Sequence, residues 1–203
     1  MFVRTLYLTG DPGRLDETVE ALGTGGRKLL SDQPGFRGFG LFKDAGLGKI
    51  LTVTWWATEQ DRTVSDEQLR GRREALVEPF AATIATANYE AAVFHRSAQP
   101  RPGAGLRISR LDVDPADVDL LIDTFRGTTL PRLQTLDGLT GAALFVDRER
   151  GRGMVGVIFT DLATLAASRA GQAAARGESA AKAHVTVTGL EEFEVVFAEV
   201  DPV

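Results

Sequence analysis

The chain has no cysteine, which removes disulfide frameworks, thiolate metal sites, iron–sulfur clusters and cysteine nucleophiles from consideration. Its only histidines are His95 and His184, so a three-histidine metal site cannot form within one chain. Basic residues are in the minority, 23 against 28 acidic, giving a net charge of −5 and a pI near 5.2. A nucleic-acid partner, which needs a basic face, is not expected. No run approaches the roughly 18 apolar residues of a membrane span. The N-terminal stretch is interrupted by Arg4 and runs into Gly10-Asp11-Pro12, without the basic region, apolar core and small-residue cleavage site of a signal peptide. The expectation is a cytoplasmic protein without a membrane partner. What is present, 43% hydrophobic and 25% charged residues in 203 positions, is the balance of one large folded domain or two small ones.

The most informative feature is an internal repeat. Leu8 falls on Leu111, Asp11 on Asp114, Pro12 on Pro115 and Asp16 on Asp119. Without a gap, Gly35 then falls on Gly138, Gly38 on Gly141, Leu41 on Leu144, Phe42 on Phe145 and Asp44 on Asp147. Beyond this the composition suggests one extra residue in the second copy's turn, matching Leu51-Thr52-Val53 to Val155-Gly156-Val157. Register returns at Val93-Phe94 and Val196-Phe197. The expected organisation is repeat 1 over 1–96, a linker over 97–104 with two prolines and no apolar periodicity, and repeat 2 over 105–203.

Each repeat has the same plan. A β-rich run (2–9, 105–113) leads into Asp-Pro, an N-cap acceptor followed by a proline at the first helical position. The helices falter at matching places, Gly23-Thr24-Gly25-Gly26 and Gly127-Thr128-Thr129, where a kink or break is expected. Glycine-entered strands (36–42, 139–145), Gly/Asp/Arg-rich turns and third strands (50–56, 154–160) follow. Ser65 with Gln68 reads as a capping-box start for a helix, and Pro79 as its kink. Fourth strands close each copy over 89–95 and 192–200. The order βαββαβ, twice, predicts an α+β fold. A single four-stranded sheet with helices on one face would leave its other face uncovered. Two ferredoxin-like repeats are therefore expected to pack sheet to sheet as an intramolecular α+β barrel, a monomeric pseudo-dimer. A homodimer is compatible with the sequence but not required by it.

Gln33-Pro34-Gly35-Phe36-Arg37-Gly38 leading to Leu41-Phe42, and Asp137-Gly138-Leu139-Thr140-Gly141 leading to Leu144-Phe145-Val146-Asp147 with the Gly151-Arg152-Gly153 turn, resemble the stretch before strand two in antibiotic-biosynthesis-monooxygenase-like proteins of the dimeric α+β barrel superfamily. A third strand ending in tryptophan is similar to that family too: Trp55 takes that place in repeat 1 and Phe159 in repeat 2. The resemblance covers both repeats and implies a monooxygenase-like protein that binds a small aromatic or apolar molecule, with cofactor-independent oxidation as the candidate chemistry. A non-catalytic ligand-binding or structural barrel is the alternative. Haem-degrading members of the family carry an asparagine on strand one with a tryptophan and a histidine in the pocket. This sequence departs from them, since its only asparagine, Asn88, heads strand four.

A sheet of order 4-1-3-2, with strands one and three taken as parallel, would gather Tyr7, Trp55, Trp56, Asn88 and Tyr89 at one end. His95 would lie roughly 20 Å away. The candidate ligand-binding residues are therefore Trp55, Tyr7, Tyr89 and Asn88: aromatic faces to stack a flat ligand and polar groups to orient it. Alternation puts Leu51, Val53 and Trp55 on one face and Thr52, Thr54 and Trp56 on the other. The set Val155, Val157 and Phe159 is matched to the former. Arg4 and Arg107, equivalent by repeat, could bind an anionic group or form ion pairs across the pseudo-dimer. His95 and His184 read as surface residues, and Arg70, Arg72 and Arg73 as an ordinary solvated helix face. Gly46-Leu47-Gly48-Lys49 lacks the spacing of a phosphate loop, and no metal, flavin or nicotinamide motif is present, so no cofactor is expected.

Overall fold

The computed structural model describes residues 1–201. Its strands are β1 (Phe2–Gly10), β2 (Phe36–Asp44), β3 (Lys49–Trp56), β4 (Ala81–Arg96), β5 (Gly105–Asp112), β6 (Leu139–Asp147), β7 (Arg152–Phe159) and β8 (Thr186–Val200). They hydrogen-bond in the closed order β1-β3-β2-β8-β5-β7-β6-β4, the eight-stranded α+β barrel that the repeat predicts. The helices are α1 (Leu15–Ala21), α2 (Arg27–Ser31) and α3 (Glu59–Val77) in repeat 1, then α4 (Val118–Thr124), α5 (Leu130–Leu133), α6 (Leu162–Ala167) and α7 (Arg169–Ala183) in repeat 2. Among the described residues no helix is long and apolar enough to cross a membrane.

Two compact units emerge, residues 1–88 with 195–201, and residues 89–194. Their boundaries fall inside the long strands β4 and β8, so each unit contains half of each. In the first unit, helices cover the sheet face that carries Leu6, Leu8, Phe39, Leu41 and Ile50, which pack with Leu15, Val19, Leu22 and Val77. In the second, Leu111, Leu144, Val157 and Phe159 pack under Leu121, Ile122, Phe125 and Leu133. Full burial of each such side chain contributes about 1.5–3 kcal/mol relative to exposure.

The local signals behave as the sequence indicates. Asp11 and Asp114 accept from the backbone N–H two residues on, at 2.9 Å in each case, opening a short 3₁₀ turn before α1 and α4. The expected helix breaks are single π turns, Leu22–Gly26 and Phe125–Thr129, defined by the i→i−5 bonds Arg27 N–H to Leu22 C=O and Leu130 N–H to Phe125 C=O. Gly48 and Gly151 close the two hairpins with φ of +59° each. A Cβ at Gly151 would stand 2.0 Å from the Val113 carbonyl oxygen, so only glycine fits that turn.

Four expectations need correction. First, β1 and β3 are antiparallel, with Val3 opposite Trp55 and Tyr7 opposite Leu51. The β1–helix–β2 crossover makes β1 and β2 parallel, and the hairpin then reverses β3 against both. Second, there is no extra residue in the second copy's turn. Asp44 to Lys49 and Asp147 to Arg152 are connections of equal length, and Arg4 faces Thr54 as Arg107 faces Val157. Thr52, Thr54 and Trp56 are thus the counterparts of Val155, Val157 and Phe159, and Trp55 is the counterpart of Ile158. Similarity of β-branched runs had mimicked a one-residue slip, which would reverse every face. Third, Ser65 is no cap. α3 starts at Thr58, whose Oγ1 accepts from Asp61 N–H at 3.1 Å and donates to its carboxylate at 2.6 Å, while Ser65 lies buried in mid-helix. Pro79 follows the helix rather than kinking it. Fourth, β4 begins at Ala81, eight residues before Tyr89.

Candidate functional site

Each unit holds a cavity between its helices and its sheet. In the first, of about 40 Å³, β-strand residues Arg4, Leu6, Thr52 and Thr54 form the floor, and Leu22 and Gly26 of the π turn with Leu69, Arg73 and Leu76 of α3 form the walls. In the second, of about 50 Å³, Ser109, Val155 and Val157 form the floor, with Phe125 and Thr129 of the π turn and Gln172, Arg176 and Ser179 of α7 above. The two linings correspond residue by residue at the repeat offset: Leu6 with Ser109, Thr54 with Val157, Gly26 with Thr129, Leu69 with Gln172, Arg73 with Arg176 and Leu76 with Ser179. Their polarity differs position by position. Thr52 and Thr54 on the sheet and Leu69 and Leu76 on α3 are replaced by Val155, Val157, Gln172 and Ser179, whereas Leu6 becomes Ser109 and the arginine is kept. Volumes of this size hold a few waters, and a ring needs the lining side chains to move aside.

Arg4 is 4% exposed, and its Nε is buried without a hydrogen bond. Arg4 donates to Ser65 Oγ at 3.2 Å and to the Arg62 carbonyl, lies 3.6 Å from the Asp66 carboxylate, and stacks over Trp56 at 5.7 Å. Burial pulls its pKa down to about 10, with the Asp66 charge resisting. Trp56 donates from Nε1 to Thr54 Oγ1 at 3.0 Å, which itself donates to the Arg4 carbonyl. Asp66 also takes Arg70 and Arg73, each at 2.8 Å. Burial alone would raise the Asp66 pKa, but hydrogen bonds from Arg73 and Arg70 and the field of Arg4 hold it below the ordinary carboxylate value. In repeat 2, Arg107 pairs with Glu192, which Arg169 also binds at 2.8 Å. The two strand arginines therefore form their ion pairs inside their own units, not across the pseudo-dimer.

The candidate residues read from the sequence do not cluster as expected. Tyr7 and Trp55 share the sheet face turned away from the helices, but their cross-strand partners Leu51 and Trp55's own position are four residues apart on β3, roughly 13 Å. Trp55 is buried, and a Cβ at Gly40 would lie 3.3 Å from its indole and 2.7 Å from the Phe42 ring, so both rings fold over that glycine. Asn88 is exposed, next to Ala87, whose carbonyl accepts from Thr5 Oγ1 at 3.4 Å. Tyr89 belongs to the second unit, buried with its ring 6.5 Å from that of Phe145, and burial raises its pKa. His95 lies 3.2 Å from the Gln134 amide at the surface, and His184 caps α7 in a left-handed conformation (φ 53°) beside Asp117. Arg73 is no ordinary solvated residue, since it walls the first cavity. Sequence reading missed Arg176, Gln172, Thr129 and Ser179. Carrying the repeat offset through the helices, where identities are few, would have paired Arg73 with Arg176. Among the described residues no group of three or more His, Asp or Glu is placed to hold a metal.

Residues 1–64 match the family model of antibiotic biosynthesis monooxygenase. Two uncharacterized Mycobacterium tuberculosis proteins are similar in sequence. Rv2557 is 28% identical over 83% of this chain and 75% of its own length, and Rv2558 is 24% identical over 98% and 84%. The fold is that of an anthrone oxidase-like protein (TM-score 0.72, 15% identity, 98% of this chain and 92% of that one). It is also that of an uncharacterized Listeria monocytogenes ferredoxin-fold protein related to antibiotic biosynthesis monooxygenases (TM-score 0.54, 8% identity, 96% and 95%). Residues 1–64 thus match the antibiotic biosynthesis monooxygenase family model, and the whole chain, as a tandem repeat, has the fold of these solved structures.

Proposed function

We propose that this protein holds a small, largely apolar molecule, admitted as the lining side chains move aside, in the helix–sheet cavity of at least one repeat and oxidises it with O2. The observation that carries this reading is the residue-by-residue correspondence of the two cavities, each walled by a π turn, a feature concentrated at functional sites. A wider cleft of about 300 Å³ shares Leu6 and Arg73 with the first cavity and offers an approach to it. The chemistry suggested by the family and by the anthrone oxidase-like neighbour is oxidation of an activated CH2 group. The substrate supplies all the electrons: CH2 and O2 become C=O and H2O, with two C–H bonds broken and one C=O bond formed.

The test combines calorimetric titration of single-ring phenols and ketones with oxygen-uptake measurement. Thr54→Phe should abolish binding in the first cavity and Val157→Phe in the second. Binding that survives the pair of substitutions together would sink this reading. Binding without oxygen uptake by any bound compound would leave the non-catalytic carrier as the function. The other candidate surface is the sheet face of Trp55 and Tyr7, with Asn88 and Tyr89 as its polar contacts. Trp55→Phe in the same titration tests it, and loss of binding there would move the site to that face.

A further inference from the structure

The two cavities share an arginine but not its counter-ion. In repeat 1, Arg73 is neutralised by Asp66 at 2.8 Å. At the equivalent position repeat 2 has Arg169, a reversal of charge, and Arg169 turns instead to Glu192. Arg176, the counterpart of Arg73, is consequently half-buried at the wall of the second cavity with no hydrogen bond or carboxylate partner among the described residues. The nearest resolved charge influence on it is repulsive, from Arg107, and burial followed by that repulsion lowers its pKa. Three other polar side chains of this lining bond within the protein: Thr129 and Ser179 share a 2.6 Å hydrogen bond, and Gln172 donates to Ser168 Oγ at 2.6 Å. The remaining walls, Phe125, Leu133 and Val157 among them, are apolar. A guanidinium held at the edge of an apolar cavity, in a protein of net charge −5 that has carboxylates to spare, is the pattern of a site whose counter-ion comes with the ligand.

We propose that the repeat 2 cavity recognises a small apolar carboxylate, with the ring or chain against Phe125, Leu133 and Val157 and the carboxylate on Arg176, whereas the repeat 1 cavity takes neutral ligands. This rests on the reading of the cavities as ligand sites. The duplication has then produced two specificities by one charge reversal, Asp66 in one repeat and Arg169 in the other.

Benzoate and benzamide, nearly equal in shape and different in charge, make the test, titrated by NMR into the full-length protein. Benzoate should bind more tightly than benzamide and shift the amide signals of Gln172 and Ser179. Arg176→Gln should weaken benzoate at least tenfold while leaving benzamide within twofold, Arg176→Lys should recover part of the loss, and Arg73→Gln should change neither at that site. Retention of the benzoate preference in Arg176→Gln, or its equal loss in Arg73→Gln, overturns the proposal. Benzamide binding at the cavity without benzoate binding would refute the carboxylate assignment alone. Failure of both compounds to perturb either cavity would refute the ligand-site reading with it.

Discussion

Asp66 is the residue whose loss the structure prices most clearly. It is approached by three guanidinium groups, and one of them, Arg4, is 4% exposed beneath α3. Asp66→Asn keeps the shape and some hydrogen bonding but leaves Arg4 without compensating charge. Breaking a fully buried pair in this way costs about 3–5 kcal/mol. The cost here should be less, because the Asp66 side chain is 23% exposed, the Arg70 pair lies in solvent, and Arg4 keeps Ser65 and the Arg62 carbonyl. About 2–3 kcal/mol is expected, or a drop in Tm of roughly 4–12 °C for a chain of this size. The pH dependence has a definite sign. The folded-state pKa of Asp66 is lowered, so its contribution is complete above the unfolded value near 4 and disappears as pH falls through the lower folded value. Urea unfolding of wild type and variant between pH 7 and pH 3 should show the gap narrowing towards acid. Adding Arg4→Met to Asp66→Asn should recover part of the loss by removing the stranded charge. A loss below about 0.5 kcal/mol, the range of an exposed pair, or one that does not shrink with acid, would refute the argument.

Further predictions follow from single features. Gly151→Ala should cost about 2 kcal/mol or more by chemical denaturation, from the φ of +59° and a Cβ 2.0 Å from the Val113 oxygen. By contrast Gly177→Ala, within α7 with nothing within 4 Å, should stabilise by about 0.5–1 kcal/mol. Trp56→Phe should cost about 1–3 kcal/mol in the same assay, losing the Nε1 bond to Thr54 and its contact with Arg4, and should alter ligand binding in the first cavity. Trp55→Phe should leave that binding unchanged. Thr58→Ala should destabilise by about 1 kcal/mol, seen as a lower Tm, through loss of the α3 cap.

How much was legible from residues alone depended on the range of the interaction. Asp11-Pro12 and Asp114-Pro115, Gly48 and Gly151, and the Gly23–Gly26 break act through a few backbone dihedrals, and each stands where its local chemistry puts it. The Thr58 start of α3 is equally local, but Ser65-x-x-Gln68 satisfies the same pattern seven residues into the helix and competes with it. The duplication itself was readable because both copies keep the same turns, and with it the α+β barrel.

Direction, face and partner were decided only in three dimensions. Alternation along β3 shows that Trp55 and Trp56 point to opposite faces, but which face receives helices depends on the crossover that lays α1 and α3 on the sheet. A one-residue error in matching the repeats therefore set Phe159 against Trp55, whereas its counterpart is Trp56, the residue that stacks on Arg4. Likewise Asp66 is an unremarkable acidic residue in a charged helix until α3 packs over Arg4, 62 positions earlier in the chain. Sequence determined the repeat, its turns and its caps, since these are interactions between near neighbours. The cavities and their different linings came only from the tertiary structure, since helix and sheet residues far apart in the chain must meet before either has a floor or a wall.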